Sequence, residues 1–348
     1  MVKKMFLNQR LSKWFEENSV LANEQNGFRK KKSCLEHIYT LYTIVNDRKI
    51  ARQNTYAAFI DLRKAFDNVD RDCLWYKLCR TGVSGKIYSS IKSMYEEVQC
   101  SVRVNNNMTD PFYVKQGVKQ GCPLSPTLFS LYINDLAEDI NNLECGITVD
   151  TITLSILLFA DDIVLLAPSE ACLQTMLNAV HMWSNKWRLD VNMSKSNIIH
   201  FRNKNTQITD YQFVCGQHDI LLSSKYKYLG LWFNEHLDMK FTTKELAKSA
   251  HRALACLHSK VISSGGMSHA IYTKLYEALV QPVLFYASAI WGICEHSCIN
   301  HVQNRACRFF LGLPRHTSNC ASRGDMGWKS CLTKQRVEVI RFFYEAQR

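Results

Sequence analysis

The sequence predicts an α+β fold, and three features predict it. Apolar residues recur at every second position before Ala160-Asp161-Asp162, at Ile152, Leu154, Ile156 and Leu158, and Ile163 to Leu166 continue beyond it as a short β-prone run. A second strand-like stretch, TYAAFIDL (55–62), puts Thr55, Ala57, Phe59 and Asp61 on one face. Several other stretches have helical apolar spacing. The chain has 348 residues, 47% hydrophobic and 21% charged, enough for two or three domains with full cores and too apolar for a disordered protein.

The elements follow in order. Residues 5–18 place Phe6, Leu7, Leu11, Trp14 and Phe15 at helical spacing. QNGFR (25–29) and Lys30-Lys31-Lys32 then lead through a glycine turn into a second helix; four successive bases are either a solvated loop or an anion site. After Asp61 a helix starts, with Asn68 or Asp70 as cap. Residues 76–115 read as helix and then a strand pair turning at Asn105-Asn106-Asn107. In QGVKQGCPLSP (116–126), Gly117 and Gly121 permit close backbone approach, and Ser125-Pro126 reads as a cap with proline at the first helical position. Phe129, Tyr132, Ile133, Leu136 and Ile140 form the buried stripe of that helix.

The stretch 151–167 reads as a hairpin with two carboxylates at its tip. Acids amid so much apolar surface are either a solvated turn or ligands for a divalent cation. Asp61 favours the second reading, because carboxylates at the ends of two strands can converge on hard cations such as Mg²⁺. Two such ions clamp the attacking and leaving oxygens of a phosphoryl transfer. Beyond the hairpin, Leu173, Met176, Leu177, Val180, Trp183 and Trp187 make a helix that covers the strands. Thr242 and Glu245 form a capping box for a long helix ended by Gly265-Gly266, and Ser268 caps the next.

Charge is unevenly placed within a net +12: residues 1–35 carry eight Lys/Arg against three acids, residues 240–348 fifteen against six, and the middle twenty against twenty-two. A slightly acidic middle framed by basic ends suits cations flanked by phosphate-holding surfaces. Fourteen scattered cysteines without a secretory signal point to reduced thiols in a nuclear or cytoplasmic setting, not a secreted one. Cys294, His296, Cys298 and His301 lack regular zinc spacing, and the longest apolar stretch, about 278–294, falls short of a membrane span.

FIDLRKAFDNVD (59–70), QGVKQGCPLSPTLFSLYIND (116–135), FADDIVLLA (159–167), LDVNMSKSNIIHF (189–201) and KYLGLWF (227–233), with QNGFR upstream, occur in an order and spacing that resembles the palm motifs of reverse transcriptases. The resemblance is to the non-LTR, LINE-type branch, where FADD stands in place of YxDD. It implies a right-hand polymerase: fingers at 1–55, palm at 56–238 with a finger insertion at about 76–113, helical thumb at 239–292, and a basic helical extension at 293–348. It implies Asp61, Asp161 and Asp162 around two Mg²⁺ ions, or Mn²⁺ in their place, with Asp162 the supporting acid. Arg29 would approach the incoming triphosphate, Phe66 would lie under the nucleotide's sugar, and Gln120 and Gly121 would meet template and nucleotide. Lys195 would protonate departing pyrophosphate, although Arg188 stands where the family usually has glycine, and Tyr228-Leu229-Gly230 would form the primer grip. For Phe66 the competing reading is plain core, and for Lys195 an exposed lysine.

The implied partners are an RNA template, a DNA primer and dNTPs, with no membrane; oligomeric state is open. The family's RPI-type fingers motif is not found, so a fragment or truncated gene is expected. The other readings are a catalytically impaired remnant that only binds nucleic acid, a group II intron-type maturase, and an RNA-dependent RNA polymerase, the last opposed by Phe66.

Overall fold

The computed structural model describes residues 2–346. The chain forms two compact units that divide after Ser224, with Leu41–Thr43 grouped with the second. The first is built on a four-stranded antiparallel sheet in the order Asn197–Phe201, Thr55–Asp61, Asp162–Ala167, Ile156–Phe159. The two central strands are buried on both faces, so they read as nearly continuous apolar runs. On one face Tyr56, Ala58 and Ile60 join Ile163, Leu165 and the helix Glu170–Trp187 in a single core. The expected stripe from Leu173 to Trp187 is the buried side of that helix. The helix Cys34–Ile50 lies on the other face, with the His37 ring 6.0 Å from Phe159 and Arg48 Nε donating to Thr55 Oγ1 at 2.9 Å.

Both sheet edges are covered. Segment 24–26 pairs with the outer strand, Leu158 N–H donating to Glu24 O and Asn26 N–H to Leu158 O, each at 2.9 Å. At the other edge Ile198 N–H donates to Leu221 O and accepts from Ser223 N–H through its carbonyl. Each edge strand is thus bridged to a flanking segment at one residue.

Several local expectations need correction. Ile152–Leu154 does not continue into Ile156–Phe159; it pairs with Ile147–Val149 in a separate hairpin, leaving Ile152 exposed. The helix expected through Ile140 breaks at Asn134, whose side chain accepts from Ala22 N–H at 2.7 Å and donates to Val20 O at 2.9 Å. Ser125 is not a side-chain cap: its hydroxyl donates to Lys119 O at 2.7 Å. In the first helix Leu7, Leu11 and Phe15 are buried, but Phe6 and Trp14 are exposed. The 99–113 arm turns on Asn105-Asn106 alone, both at positive φ as a two-residue hairpin requires, and Asn107 begins the return strand.

Asp70 caps the helix Arg71–Arg80, its Oδ1 accepting from Cys73 N–H. The next residue, Arg71, spreads its guanidinium over four carbonyls, those of Tyr95, Val114, Gln116 and Gly117, at 2.8 to 3.1 Å. One side chain thereby ties the base of the 99–113 arm to the 116–121 loop.

In the second unit Lys225–Tyr228 and Leu231–Asn234 form a hairpin turning at Leu229 and Gly230, both at positive φ. The long helix Met239–Ser263 is capped by Asp238 and not by the expected Thr242, whose hydroxyl donates to Trp232 O at 2.8 Å. Gly265-Gly266 ends it and Ser268 caps His269–Leu279, as expected. Residues beyond 292 share this unit's core: Tyr272 Oη donates to Ala306 O, and His258 stacks on Phe309 at 3.5 Å. The His296 nitrogens face Thr243 Oγ1 and the Trp291 carbonyl. Among the described residues no helix is long and apolar enough to cross a membrane.

Two substitutions test this framework. Arg71→Lys, with three donors on a point-like ammonium, leaves carbonyls unpaired and should lower unfolding stability by about 1–3 kcal/mol, measured by urea denaturation. Gly27→Ala places a Cβ 2.3 Å from Ala160 N and 3.1 Å from its Cα. The segment must back away from the hairpin, at a cost of about 1–3 kcal/mol. A melting temperature unchanged from wild type would show that the contact is not held in solution.

Candidate active site

The first strand ends at Asp61, which sits directly opposite Asp162 in the ladder, and Asp162 is also opposite Phe159. Cross-strand partners share a face, so Asp61 and Asp162 project together. Asp161 occupies the two-residue turn before Asp162, beside Ala160 at φ +54°. Positive φ matches the twist of a tight hairpin but costs a non-glycine residue about 1–2 kcal/mol. The buried Gln25 offsets this from outside: its Oε1 accepts from Gly27 N–H at 2.7 Å and from Ala160 N–H at 3.3 Å. The glycine of QNGFR is required because its Cα lies against the turn backbone.

Asp61 is fixed from the other side by the 190–196 turn. Its Oδ2 accepts from Asn192 Nδ2 at 2.8 Å, its carbonyl accepts from Asn192 N–H at 2.7 Å, and its own N–H donates to Ser196 Oγ at 3.1 Å. The Lys195 ammonium stands 3.9 Å from the same Oδ2 with 69% of its side chain exposed. Asn192 and Ser196 were missed by the sequence reading; the available signal was a polar run, VNMSKS, directly after apolar Leu189 and Val191.

Burial raises the Asp162 carboxyl to about 6, reinforced by the charges of Asp161 and Asp61. The Asp161 carboxyl is also raised, chiefly by burial; its own backbone hydrogen bond and Lys195 oppose the shift and Asp61 adds to it. Among the described residues no three His, Cys, Asp or Glu side chains are already gathered as a finished ion-binding set. What the site offers is a concentration of carboxylate oxygens whose repulsion is only partly answered by Asn192 and Lys195. An oxygen-only donor set with surplus negative charge fits Mg²⁺ or Mn²⁺ and does not fit a soft metal.

Phe66 is half-buried, stacked on Phe129 at 4.5 Å and perpendicular to Phe28 at 6.4 Å. The loop carrying it is bonded to the 116–121 loop: Val118 N–H donates to Phe66 O, Gly117 N–H to Val69 O, and Gln120 Nε2 to Asp67 Oδ1 at 2.9 Å. Gly117 has φ +81°, and a Cβ there would meet Asp67 O at 2.6 Å. Gly121 has φ +79° and faces open space. Phe66, Gln120 and Gly121 are thus brought together by two interlocked loops, and Asp67 joins them unforeseen.

Arg29 does not present itself to a ligand. Its guanidinium makes a bidentate pair with Glu16 at 2.9 and 2.8 Å and donates to the carbonyls of Ala22 and Gln25, leaving 11% of the side chain exposed. It holds the 22–25 segment instead, while Lys30, Lys31 and Lys32 beside it are exposed. Tyr228, Leu229 and Gly230 lie in the second unit, where Tyr228 is buried and Leu229 O accepts from Tyr286 Oη at 2.5 Å.

Comparison with known proteins places these residues in context. The family described as reverse transcriptase (RNA-dependent DNA polymerase) matches residues 3–233. The RNA-directed DNA polymerase from mobile element jockey of Drosophila funebris is 26% identical over 87% of this chain and 33% of its own length. The jockey protein of Drosophila melanogaster is 24% identical over 90% of this chain and 34% of its own. The Pol polyprotein from the R2 retrotransposable element of Popillia japonica is 28% identical over 55% of this chain and 27% of its own. The chain therefore spans about a third of the length of these relatives. A solved structure of telomerase from Candida tropicalis in complex with a telomeric RNA fragment aligns over 92% of this chain and 56% of its own, with TM-score 0.48 and 13% identity. The family match takes in the Asp61 strand, the interlocked loops, the Asp161-Asp162 hairpin and the Lys195 turn; the chain belongs to the reverse transcriptase family.

Proposed function

We propose that this chain is the RNA-directed DNA polymerase portion of a non-LTR retrotransposon protein, extending a DNA primer on an RNA template with dNTPs. The observation that carries this is the placing of Asp61 opposite Asp162, with Asp161 in the adjoining turn. The jockey and R2 relatives support the element type. In this reading residues 1–55 and part of 76–113 are fingers, 56–75 and 114–238 palm, 239–292 thumb, and 293–348 an extension. The fourteen cysteines are free thiols, which suits a reducing intracellular compartment, nuclear or cytoplasmic.

Asp61 and Asp161 would hold the divalent ions, with Asp162, across the ladder from Asp61, as the supporting acid. When bound, the ions activate the primer 3′-hydroxyl and neutralise the triphosphate and leaving pyrophosphate. The chain's own residues do the rest. Asn192 and Ser196 keep Asp61 aimed, and the Gln25 contact keeps the Asp161 turn from unwinding. Lys195, exposed and 3.9 Å from Asp61, is placed to give a proton to pyrophosphate. Phe66 offers an apolar surface to the sugar, which excludes a 2′-hydroxyl by bulk and by denying it a hydrogen bond. Gln120, held by Asp67, and Gly121, which faces open space, would meet template and base from the loop that Arg71 braces.

Primer extension on poly(rA)/oligo(dT) is the direct test. Asp61→Asn and Asp161→Asn should each abolish metal-dependent extension without lowering the melting temperature, because they remove repelling charge at constant volume; Asp162→Asn should cost less activity. Wild-type rates in either of the first two would sink the assignment, and duplex binding without extension by the wild type would favour the binding-only remnant.

Phe66→Val should raise UTP incorporation much more than it changes dTTP incorporation. Were Phe66 only core, both activities would fall together with stability, by about 1–4 kcal/mol for a large-to-small change. An unchanged dTTP/UTP ratio beside a lowered melting temperature would decide for packing.

A further inference from the structure

Burial in the core does not account for the placing of Phe28. The ring is 57% exposed, and the residue sits at φ +60°, a conformation unfavourable for a bulky side chain. Exposed aromatic surface on a strained backbone suggests a task outside folding.

Its neighbours fix its backbone in place. Gly27 before it is pressed against Ala160, donates its N–H to Gln25 and accepts from Ser130 Oγ through its carbonyl. Arg29 after it is anchored by Glu16 and two carbonyls. These anchors register the Phe28 backbone to the turn that carries Asp161, and the contact with Phe66 is what orients the ring. Its contact is Phe66, perpendicular at 6.4 Å, while Phe66 stacks on the buried Phe129. Phe66 is thus confined between a core ring and a rim ring.

We infer that Phe28 is a positioning residue for sugar selection: by its edge-to-face contact it holds Phe66 against Phe129 and keeps that ring from tilting to admit a 2′-hydroxyl. The inference rests on the proposed polymerase reading and on Phe66 as the ring beneath the sugar. Phe28 itself acts through Phe66. The same segment, QNGFR, would then set both the acid turn and the selectivity ring.

The experiment measures discrimination between dTTP and UTP twice on the full chain. One measure is the kcat/KM ratio in primer extension; the other is the ratio of nucleotide dissociation constants on a dideoxy-terminated primer, which needs no chemistry. Phe28→Ala should lower both ratios by about 2- to 12-fold, the factor corresponding to one edge-to-face ring contact, and UTP use should change more than dTTP use. Phe28→Tyr keeps the ring and should restore the ratio. Because Phe28 works through Phe66, the double variant Phe28→Ala/Phe66→Val should discriminate no worse than Phe66→Val alone.

An unaltered ratio in Phe28→Ala, with Phe66→Val altered, overturns the role of Phe28 and leaves the polymerase reading intact. Multiplying effects in the double variant also overturn it, because Phe28 would then contact substrate independently. An unaltered ratio in Phe66→Val removes the sugar-selection reading and this inference with it. Failure of the wild type to bind either nucleotide overturns the polymerase reading itself.

Discussion

Three carboxylates near one end of a buried sheet repel one another, and much of the first unit is arranged to bear that repulsion. Asp162 is pushed up to about 6, first by burial and then by Asp161 and Asp61. A group shifted this way makes the folded state less stable once it ionises, so the site is retained at a cost in stability. The cost is contained by bracing. Asn192, Ser196 and Lys195 take one side of the cluster, and Gln25 with Gly27 takes the other. Neither brace neutralises the charge fully. The residual demand for positive charge is the physical case for divalent cations here, and it comes from the same burial that makes the hairpin rigid.

The second organising constraint is the interlocking of the 61–70 and 116–121 loops. Backbone bonds from Gly117 and Val118 to Val69 and Phe66 form a short ladder outside any named strand. Only a residue without a Cβ fits at Gly117, both for its φ and for the close approach of Asp67. Arg71 then uses its fork of donors on Gln116 and Gly117, together with Tyr95 and Val114 of the arm. A movement of the 99–113 arm is therefore coupled through one guanidinium to Gln120 and Gly121.

What was legible in the sequence was what depends on local period or local hydrogen bonding. The acid pair stood out because apolar, strand-like runs flank it, and Asp70, Ser268 and Gly265-Gly266 were legible because caps and breaks use residues within three or four positions. The failures share a cause. Asn134, at the junction of two short helices, bonds through its side chain to Val20 and Ala22, more than a hundred residues earlier. Thr242 loses the cap to Asp238 because its hydroxyl is taken by Trp232 O in the preceding hairpin. The pairing of Arg29 with Glu16, thirteen residues earlier, was likewise not legible. Ile152 and Leu154 keep the strand period of their neighbours but serve a different ladder. Side chains that replace distant backbone leave no periodic trace.

Arg188 shows how a departure from a family pattern can be judged physically. It ends the helix Glu170–Trp187 in the left-handed region, at φ +56° and ψ +38°, where glycine is the least strained choice. The usual glycine therefore makes sense at this position for reasons of backbone shape alone. Here an arginine accepts the strain and reaches Asp70 at 2.6 Å, an exposed pair that returns little of it. The substitution has no bearing on Lys195. That lysine's backbone is set by its N–H bond to Asn192 O, and Asn192 is in turn set by two bonds to Asp61. The position of the ammonium beside the carboxylates is thus fixed downstream of residue 188, by the turn that grips the first strand, and the role proposed for Lys195 stands or falls on that turn.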